Sequence, residues 1–377
     1  MPVPVMHVCD KFGVKGSSIH GVSRLFSWWF PRYDSSRFEV SLVGLKSPEP
    51  ASARLAEAGI PVHHLGRDRF DPRIAYDLVR VAREKRARIF HVHGYAAADF
   101  GRLAARCVGA RLVLHEHFAD PRMPAYQGLA DRLLARFTDR AIAVSASTRD
   151  FLVRERFVPA ERVRLIWNGA PLDEFAPVAP QTALALRREL GLPPGAPVVG
   201  IVGRVNAQKG HRYFIEAAPR VLVRVPEARF LVVGDGDLLE ASRRLAAQLG
   251  VADRFAFAGH RSDIPAVLGA LDVFCIASAY EGTPLVLFEA MAAGKAIVST
   301  AVDGCREVLE DGVTGRLVPP QDASALADAL AAVLADAAQR RALGENARKA
   351  SVRYDIGACV RQMEALYDEL LGEPLAA

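Results

Sequence analysis

The sequence is poor in the features that mark membrane-spanning, secreted and metal-binding proteins. Its 377 residues contain no apolar run of the ~18 residues that a membrane-spanning helix needs. The N-terminus lacks the basic start, apolar core and cleavage site of a signal peptide, so we expect a cytoplasmic protein. The five cysteines are scattered without a Cys-x-x-Cys pair, which argues against both a zinc site and a disulfide framework.

Length and composition indicate two globular domains. A chain of 377 residues exceeds what one hydrophobic core usually supports, and its 51% apolar and 24% charged residues exclude a disordered chain. Residues 1–175 hold 27 Lys and Arg against 19 Asp and Glu, whereas residues 176–377 hold 21 against 24. A basic half favours a nucleic acid, a membrane surface or a phosphorylated acceptor as partner, but arginine-rich composition alone also produces it, and we favour that explanation.

Short β-branched runs alternate with helical patterns through both halves, which predicts a parallel, doubly wound α/β sheet in each. The predicted strands are 3–8, 38–43, 61–64, 88–91, 111–114, 141–144, 163–166, 198–202, 230–233, 255–257, 273–276 and 296–299. We place the domains at 1–175 and 176–355, with a last helix at 356–372 that crosses back to the first domain. Ligands of such sheets bind at the carboxyl ends of the strands, so functional loops are expected there.

The segment 277–300 carries the strongest functional signal. Thr283 followed by Pro284 predicts a helix start, in which the hydroxyl caps free amides, and Gly294 predicts its end. A helix is therefore expected over 284–293. Its free N-terminal amides form a ready site for an anion.

Two glutamates accompany this helix. Its residues are apolar on every side except Glu289, and a buried carboxylate requires donors such as hydroxyls or a cation. Glu281 stands just ahead of the helix. A phosphate at the helix start together with hydroxyls indicates a nucleotide sugar; a core helix with two structural acids is the alternative.

These residues resemble a known signature. Glu281-Gly282-Thr283-Pro284, together with Glu289 and the run to Gly294, is similar to the Glu-x7-Glu motif of the retaining, GT-B-fold glycosyltransferases of family 4. The resemblance implies two Rossmann-like domains facing across a cleft. It also implies retaining transfer of a sugar from a UDP- or GDP-linked donor to an acceptor hydroxyl, in polysaccharide, glycolipid or cell-envelope glycan synthesis.

A basic loop follows the first predicted strand of the second half. Arg204 and Lys209 lie between Gly203 and Gly210, and cations beside glycines after a strand are typical of a phosphate clamp. The loop resembles the family's Gly-Arg…Lys-Gly element. By that resemblance both cations hold the donor diphosphate, and neither a metal nor a cofactor is expected.

The resemblance also assigns the remaining roles. Glu289 is expected to bind ribose hydroxyls and Glu281 the hydroxyls of the sugar, with no covalent nucleophile. The expected donor-site residues are Gly16, Arg204, Lys209, Gly282, Thr283, Pro284, Leu285 and Glu289. Gly16 comes from the glycine-rich loop 13–21, for which a flexible turn is an equally good interpretation.

Two His-x-His pairs follow predicted strands of the first half, His91 with His93 and His115 with His117. Because strand side chains alternate between faces, we do not expect either pair to converge on a metal ion. The resemblance implies that His117 lies near the donor sugar as a catalytic residue. His93 and His115 remain open as alternatives.

Alternatives remain for partners and for activity. The aromatic segment 24–32 suits either a membrane interface or packing against the sheet, and packing is the preferred interpretation. We expect a glycan, lipid-linked or small-molecule acceptor, no nucleic acid, and peripheral membrane contact at most. A sugar-nucleotide epimerase or hydrolase and a catalytically silent binding subunit are the rival functions.

Overall fold

A computed structural model describes residues 1–13, 21–120 and 122–372 of the chain. The predicted donor-site residue Gly16 lies outside the described residues, as does most of its loop. The structure divides into two compact units. The first comprises Met1–Asn168 and the chain from Ile356 onward, and the second comprises Gly169–Asp355.

The first unit is built on a parallel sheet. Its strands are β1 (Val3–Cys9), β2 (Phe38–Gly44), β3 (Val62–His64), β4 (Ile89–His93), β5 (Arg111–Glu116), β6 (Arg140–Ala143) and β7 (Val163–Leu165). Its helices up to the boundary are α1 (Gly21–Trp29), α2 (Pro50–Glu57), α3 (Arg73–Glu84), α4 (Tyr95–Val108), α5 (Ala125–Leu134) and α6 (Ala146–Arg154). Among described residues the strand order is β3-β2-β1-β4-β5-β6-β7, so the order reverses between β1 and β4. β4 and β5 are buried along their whole length, as is usual for strands inside a parallel sheet, although both contain histidines.

The second unit repeats the architecture. Its strands are β8 (Val198–Val202), β9 (Arg229–Val233), β10 (Phe255–Gly259), β11 (Val273–Ile276), β12 (Ala296–Thr300) and β13 (Arg316–Val318). Its helices are α7 (Pro180–Glu189), α8 (His211–Arg224), α9 (Leu239–Gln248), α10 (Ile264–Ala270), α11 (Leu285–Ala292), α12 (Asp303–Val308), α13 (Ala323–Ala335) and α14 (Ala337–Ser351). Within the described residues the strands pair in parallel in the order β10-β9-β8-β11-β12-β13. The short edge strand β13 was not predicted.

The chain leaves the first unit earlier than expected. The boundary falls between Asn168 and Gly169 rather than after residue 175. The backbone N–H of Ala170 donates to the Tyr354 carbonyl at 3.0 Å, and a side chain at Gly169 would lie only 2.4 Å from that oxygen. The residues after Asn168 are therefore packed against the end of the second unit.

The last helix, α15 (Ile356–Gly372), belongs to the first unit. Tyr367 is fully buried there and Glu364 accepts from the Asp34 backbone N–H at 2.7 Å. The aromatic segment on α1 also packs inward, since Phe26 and Trp29 are fully buried. The preferred packing interpretation of that segment is thus confirmed. Among described residues, no helix is long and apolar enough to cross a membrane.

Candidate functional site

The candidate site of the second unit lies where its strand order reverses. β8 and β11 are neighbours in the sheet, although two strands separate them in sequence. Open α/β sheets bind ligands at the carboxyl ends of the strands beside such a reversal. The loops that begin there are 203–210 after β8 and 277–284 after β11, which are the two loops that the sequence motifs occupy.

Backbone contacts hold the two loops together. The Ala279 backbone N–H donates to the Gln208 backbone carbonyl at 2.8 Å. The side-chain amide of Gln208 donates to the Tyr280 backbone carbonyl at 3.2 Å. Gly210 has φ +66°, and a Cβ there would lie 1.9 Å from the Ala277 carbonyl oxygen. Only glycine allows this approach, so the sequence at Gly210 fixes the distance between the loops.

Lys209 and Glu281 meet directly. Lys209 Nζ lies 2.6 Å from Glu281 Oε1, with side chains that are 21% and 8% exposed. The same carboxylate accepts from Ser278 Oγ at 2.9 Å, and the Gln208 amide lies 3.5 Å from its second oxygen. Glu281 is therefore held by donors from both loops, and it holds Lys209 at the end of β8.

Arg204 provides a second cation at this edge. Its side chain is half-buried, and no carboxylate of the described residues lies within ion-pair distance of it. The side-chain carbons of Lys209 lie beside Gly203, 3.7 Å from the position that a Cβ would occupy there. One guanidinium without a carboxylate partner and one ammonium with a single partner leave the loop able to bind an anion.

The start of α11 differs in detail from the sequence prediction. Pro284 occupies the N-cap position with φ −69° and ψ 125°, and Leu285 is the first helical residue. The observed N-cap is therefore one residue later than the predicted Thr283, because the backbone at Pro284 is extended. Thr283 and Gly282 are both buried, and a Cβ at Gly304 would lie 1.8 Å from the Gly282 carbonyl oxygen. Gly304 thus lets α12 support this loop, although Asp303 replaces the glycine that the family pattern places before it.

Glu289 lies fully buried on the apolar helix α11. It lies eight residues after Glu281, which precedes the helix. The ion pair of Lys209 at this site is with Glu281.

His117 belongs to the first unit and follows β5. It is half-buried, and its Nε2 lies 3.0 Å from His93 Nδ1. Trp29 stacks beneath it with ring centroids 6.3 Å apart. The observed strands are longer than the predicted ones. His93 is the last residue of β4 and His115 lies within β5, whereas the sequence analysis placed both after a strand.

The expectation that the His-x-His pairs diverge is wrong. Successive strand residues alternate, but residues two apart share a face, so both members of each pair point to the same side of the sheet. The nitrogens of His7, His91 and His93 lie within 4.8 Å of one another, as do those of His93, His115 and His117.

Comparison with known proteins gives consistent matches along the chain. The family described as Glycosyl transferases group 1 matches residues 184–350, and Glycosyltransferase Family 4 matches residues 30–174. The alpha-D-kanosaminyltransferase of Streptomyces kanamyceticus is 32% identical over 77% of this chain and 79% of its own. The UDP-Gal:alpha-D-GlcNAc-diphosphoundecaprenol alpha-1,3-galactosyltransferase of Escherichia coli is 28% identical over 71% of each chain. HepE from Anabaena, crystallised with UDP, superposes with a TM-score of 0.85 at 23% identity, covering 97% of this chain and 100% of its own.

This chain is a group 1 glycosyltransferase. The family resemblance, the two-domain Rossmann-like GT-B fold and the transferase class are confirmed. Because the relatives are sugar transferases, sugar transfer is favoured over the epimerase, hydrolase and silent-subunit alternatives.

The glycosyltransferase also contains a buried ionic cluster that the sequence analysis missed. Asp131 on α5 accepts from Arg102 on α4 and from Arg156, and all three side chains are fully buried. Arg156 also pairs with Glu116, the residue before His117. A signal was present in the sequence, since Arg102 falls on the otherwise apolar face of α4. The cluster anchors the strand end that carries His117.

Proposed function

We propose that this glycosyltransferase moves a sugar from a nucleoside diphosphate donor to an acceptor hydroxyl with retention at the anomeric carbon. The ion pair of Lys209 and Glu281 at the end of β8, beside Arg204, carries the proposal. Breaking the donor's glycosidic bond leaves negative charge on the diphosphate. Preorganised cations at that position supply the electrostatic stabilisation that such a transition state needs.

The geometry supports divided roles for the two loops. Arg204 and Lys209 bind the diphosphate, with the free amides at the start of α11 as further donors. Glu281, which is held in place by Ser278 and Lys209, accepts hydroxyls of the sugar. We assign His117 to the sugar as well, with the leaving phosphate as the acceptor of the nucleophile's proton.

We propose a uridine diphosphate sugar as the donor, with GDP-linked sugars as the next class to test. HepE was crystallised with UDP, and the galactosyltransferase relative uses UDP-Gal by name. A thermal-shift screen of UDP- and GDP-linked sugars, followed by product analysis with the stabilising donor, tests the proposal. A donor that stabilises but yields no glycoside with any acceptor would overturn it.

We also propose that turnover requires neither a metal nor another cofactor, because the clamp cations already lie at the expected phosphate position. EDTA added to the same product assay should leave the rate unchanged. Lost activity that Mg²⁺ or Mn²⁺ restores would contradict this.

Glu289 is expected to recognise the ribose, because two carboxylate oxygens match two adjacent hydroxyls. Glu289→Gln keeps the size of the side chain but removes its charge. Losing charged hydrogen bonds costs about 1.5–3 kcal/mol, so the Kd for UDP should rise about 10- to 100-fold. Calorimetric titration measures this directly.

Glu281→Gln is the matched control for that prediction, since it makes the same chemical change on the neighbouring loop. UDP affinity should be kept in Glu281→Gln while sugar transfer falls. An equal loss of UDP affinity in both variants, or in neither, would show that Glu289 has no separate role at the ribose.

We propose peripheral membrane contact through α5, consistent with a lipid-linked acceptor. Tyr126, Leu129 and Leu133 form an exposed apolar stripe on this helix, and Phe70 packs against Tyr126 at 5.6 Å between ring centroids. Exposed arginines border the stripe at Arg122, Arg132 and Arg136. An apolar stripe with basic flanks suits the surface of an anionic bilayer.

Vesicle sedimentation tests this contact. The wild type should bind vesicles that contain anionic lipid more than neutral vesicles, and Leu129→Ser with Leu133→Ser should abolish the difference. Leu238→Ser, at an exposed leucine of the second unit, is the control that should bind as the wild type does. Equal binding by the stripe variant would contradict the proposal.

A further inference from the structure

Seven buried or half-buried side chains of the first unit form one continuous line of hydrogen bonds. In order, the links are His117 Nε2 to His93 Nδ1 at 3.0 Å, His93 Nε2 to His7 Nδ1 at 3.1 Å, His7 Nε2 to the Tyr33 hydroxyl at 3.3 Å, Tyr33 to the Tyr367 hydroxyl at 3.1 Å, Tyr367 to His91 Nδ1 at 2.5 Å, and His91 Nε2 to His115 Nδ1 at 3.0 Å. We call these side chains the histidine–tyrosine chain. It begins at the residue assigned to the sugar and ends inside the sheet.

The four fully enclosed rings of the chain are neutral. Burial lowers the pKa of His7 to about 3 and lowers the pKa of His91, His93 and His115 well below the usual value. Burial also raises the pKa of the Tyr33 and Tyr367 hydroxyls. Each of these side chains therefore carries a single hydrogen on its polar atoms.

The rings are coupled to one another because each side chain has only one hydrogen for its links. Each link needs one hydrogen, and each neutral histidine or tyrosine has one to give, so every interior member donates once and accepts once. Tyr33 also lies 3.8 Å from the Met363 sulfur, but a thioether is a weaker acceptor than an imidazole nitrogen. Two arrangements then satisfy all the links: every ring carries its hydrogen on Nδ1, or every ring carries it on Nε2.

We propose that the histidine–tyrosine chain sets the tautomer of His117, with His93, His7, Tyr33, Tyr367, His91 and His115 acting as positioning residues. The ring at the reaction site is thereby fixed as either an acceptor or a donor toward its neighbours. Tyr367 lies on α15, so the last helix of the chain reaches His117 through three intervening side chains. The importance for sugar transfer rests on the function proposed for His117, whereas the tautomer coupling itself does not.

The same geometry disfavours a metal ion at the histidines. The ring planes of His7 and His93 differ by 10° and those of His91 and His115 by 14°. Nitrogen lone pairs lie in the ring plane, so nearly parallel rings that already bond edge to edge do not converge on a tetrahedral ion. A metal would also have to break the hydrogen bonds between the rings.

Long-range ¹H–¹⁵N correlation spectra of the full chain, labelled with ¹⁵N-histidine, test the proposal. The ring nitrogen shifts report the tautomer of each histidine, and single His→Gln variants assign them. The expected result is one tautomer in all five rings. Rings in different tautomers, a charged interior ring, or stoichiometric zinc in the purified protein would overturn the proposal.

Tyr367→Phe tests coupling over distance, since it removes one hydroxyl and keeps the ring. The His117 ring shifts should move, although Tyr367 forms no link with His117. Tyr95→Phe is the matched control, because it removes a hydroxyl that donates to Asp120 at 2.9 Å outside the chain. Unchanged His117 shifts in Tyr367→Phe, or equal changes in both variants, would overturn the coupling.

Discussion

Lys209→Ala should lower the rate of sugar transfer by about 30- to 1,000-fold while the protein stays folded. The figure corresponds to the ~2–4 kcal/mol lost when one charge-stabilising contact is removed from a shielded site. Arg204→Ala should lower the rate over the same range, because both cations lie on the loop after β8. Steady-state kinetics with the nucleotide sugar, and titration with the nucleoside diphosphate, measure the two losses.

The structure adds a complication that the motif does not show. Glu281 is buried against Lys209, so Lys209→Ala leaves a carboxylate beside the diphosphate position without its cation. Repulsion between that carboxylate and the diphosphate then adds to the loss of affinity. The double variant Lys209→Ala with Glu281→Gln removes the repulsion. If the clamp role is correct, its affinity for the diphosphate should remain at least about 10-fold below that of the wild type. The clamp role would be rejected if the double variant bound the diphosphate as tightly as the wild type does. It would also be rejected if Lys209→Ala and Arg204→Ala each left the affinity unchanged.

The candidate residues of the second unit could be selected from the sequence because they are local in it. Arg204 and Lys209 lie on one loop, and Glu281 and Glu289 lie on the loop and helix that come after β11. Both loops follow a strand with a clear apolar pattern. The ion pair between Lys209 and Glu281 was not predicted. It depends on β8 and β11 being neighbours, and sheet order is not encoded in the local pattern of either strand.

The first unit shows the opposite case. Both His-x-His pairs were visible in the sequence. Residues two apart in a strand share a face, but the sequence analysis assigned the two histidines of each pair to opposite faces. Tyr33 and Tyr367 could not be linked to them from sequence, because the contact joins residues more than three hundred positions apart. Long-range hydrogen bonds of this kind depend on how the helices pack against the sheet. The hydrophobic periodicity of the sequence does not contain that information.

The same histidines should make the first unit sensitive to acid. His7, His91, His93 and His115 are held neutral by burial, so their pKa values in the folded state lie below the ~6.5 of an unfolded chain. Below that pH these histidines bind protons in the unfolded chain but stay neutral in the folded protein. The stabilising contribution is therefore complete above pH ~6.5 and is lost as the pH falls toward the folded-state values.

The expected loss is large. Between pH 7 and pH 5 each such ring lowers the free energy of unfolding by about 2 kcal/mol, or roughly 8 kcal/mol for the set. Burial raises the pKa of Asp10, Asp99 and Glu116, and these carboxyls act in the opposite sense over part of the range. The net loss is thus a few kcal/mol, a substantial part of the ~5–15 kcal/mol that stabilises a typical domain.

His7→Gln isolates one ring from these opposing groups, because glutamine stays neutral at every pH. The free energy of unfolding, measured in urea at a series of pH values, should fall less steeply for this variant than for the wild type. The slopes should differ by about 1.4 kcal/mol per pH unit between pH 6 and pH 4, which is the effect of one proton. The slope is informative even if the substitution lowers stability at all pH values, since a constant loss does not change it. Parallel slopes would mean that His7 takes up its proton in the folded protein, and the neutral interior of the histidine–tyrosine chain would then be wrong.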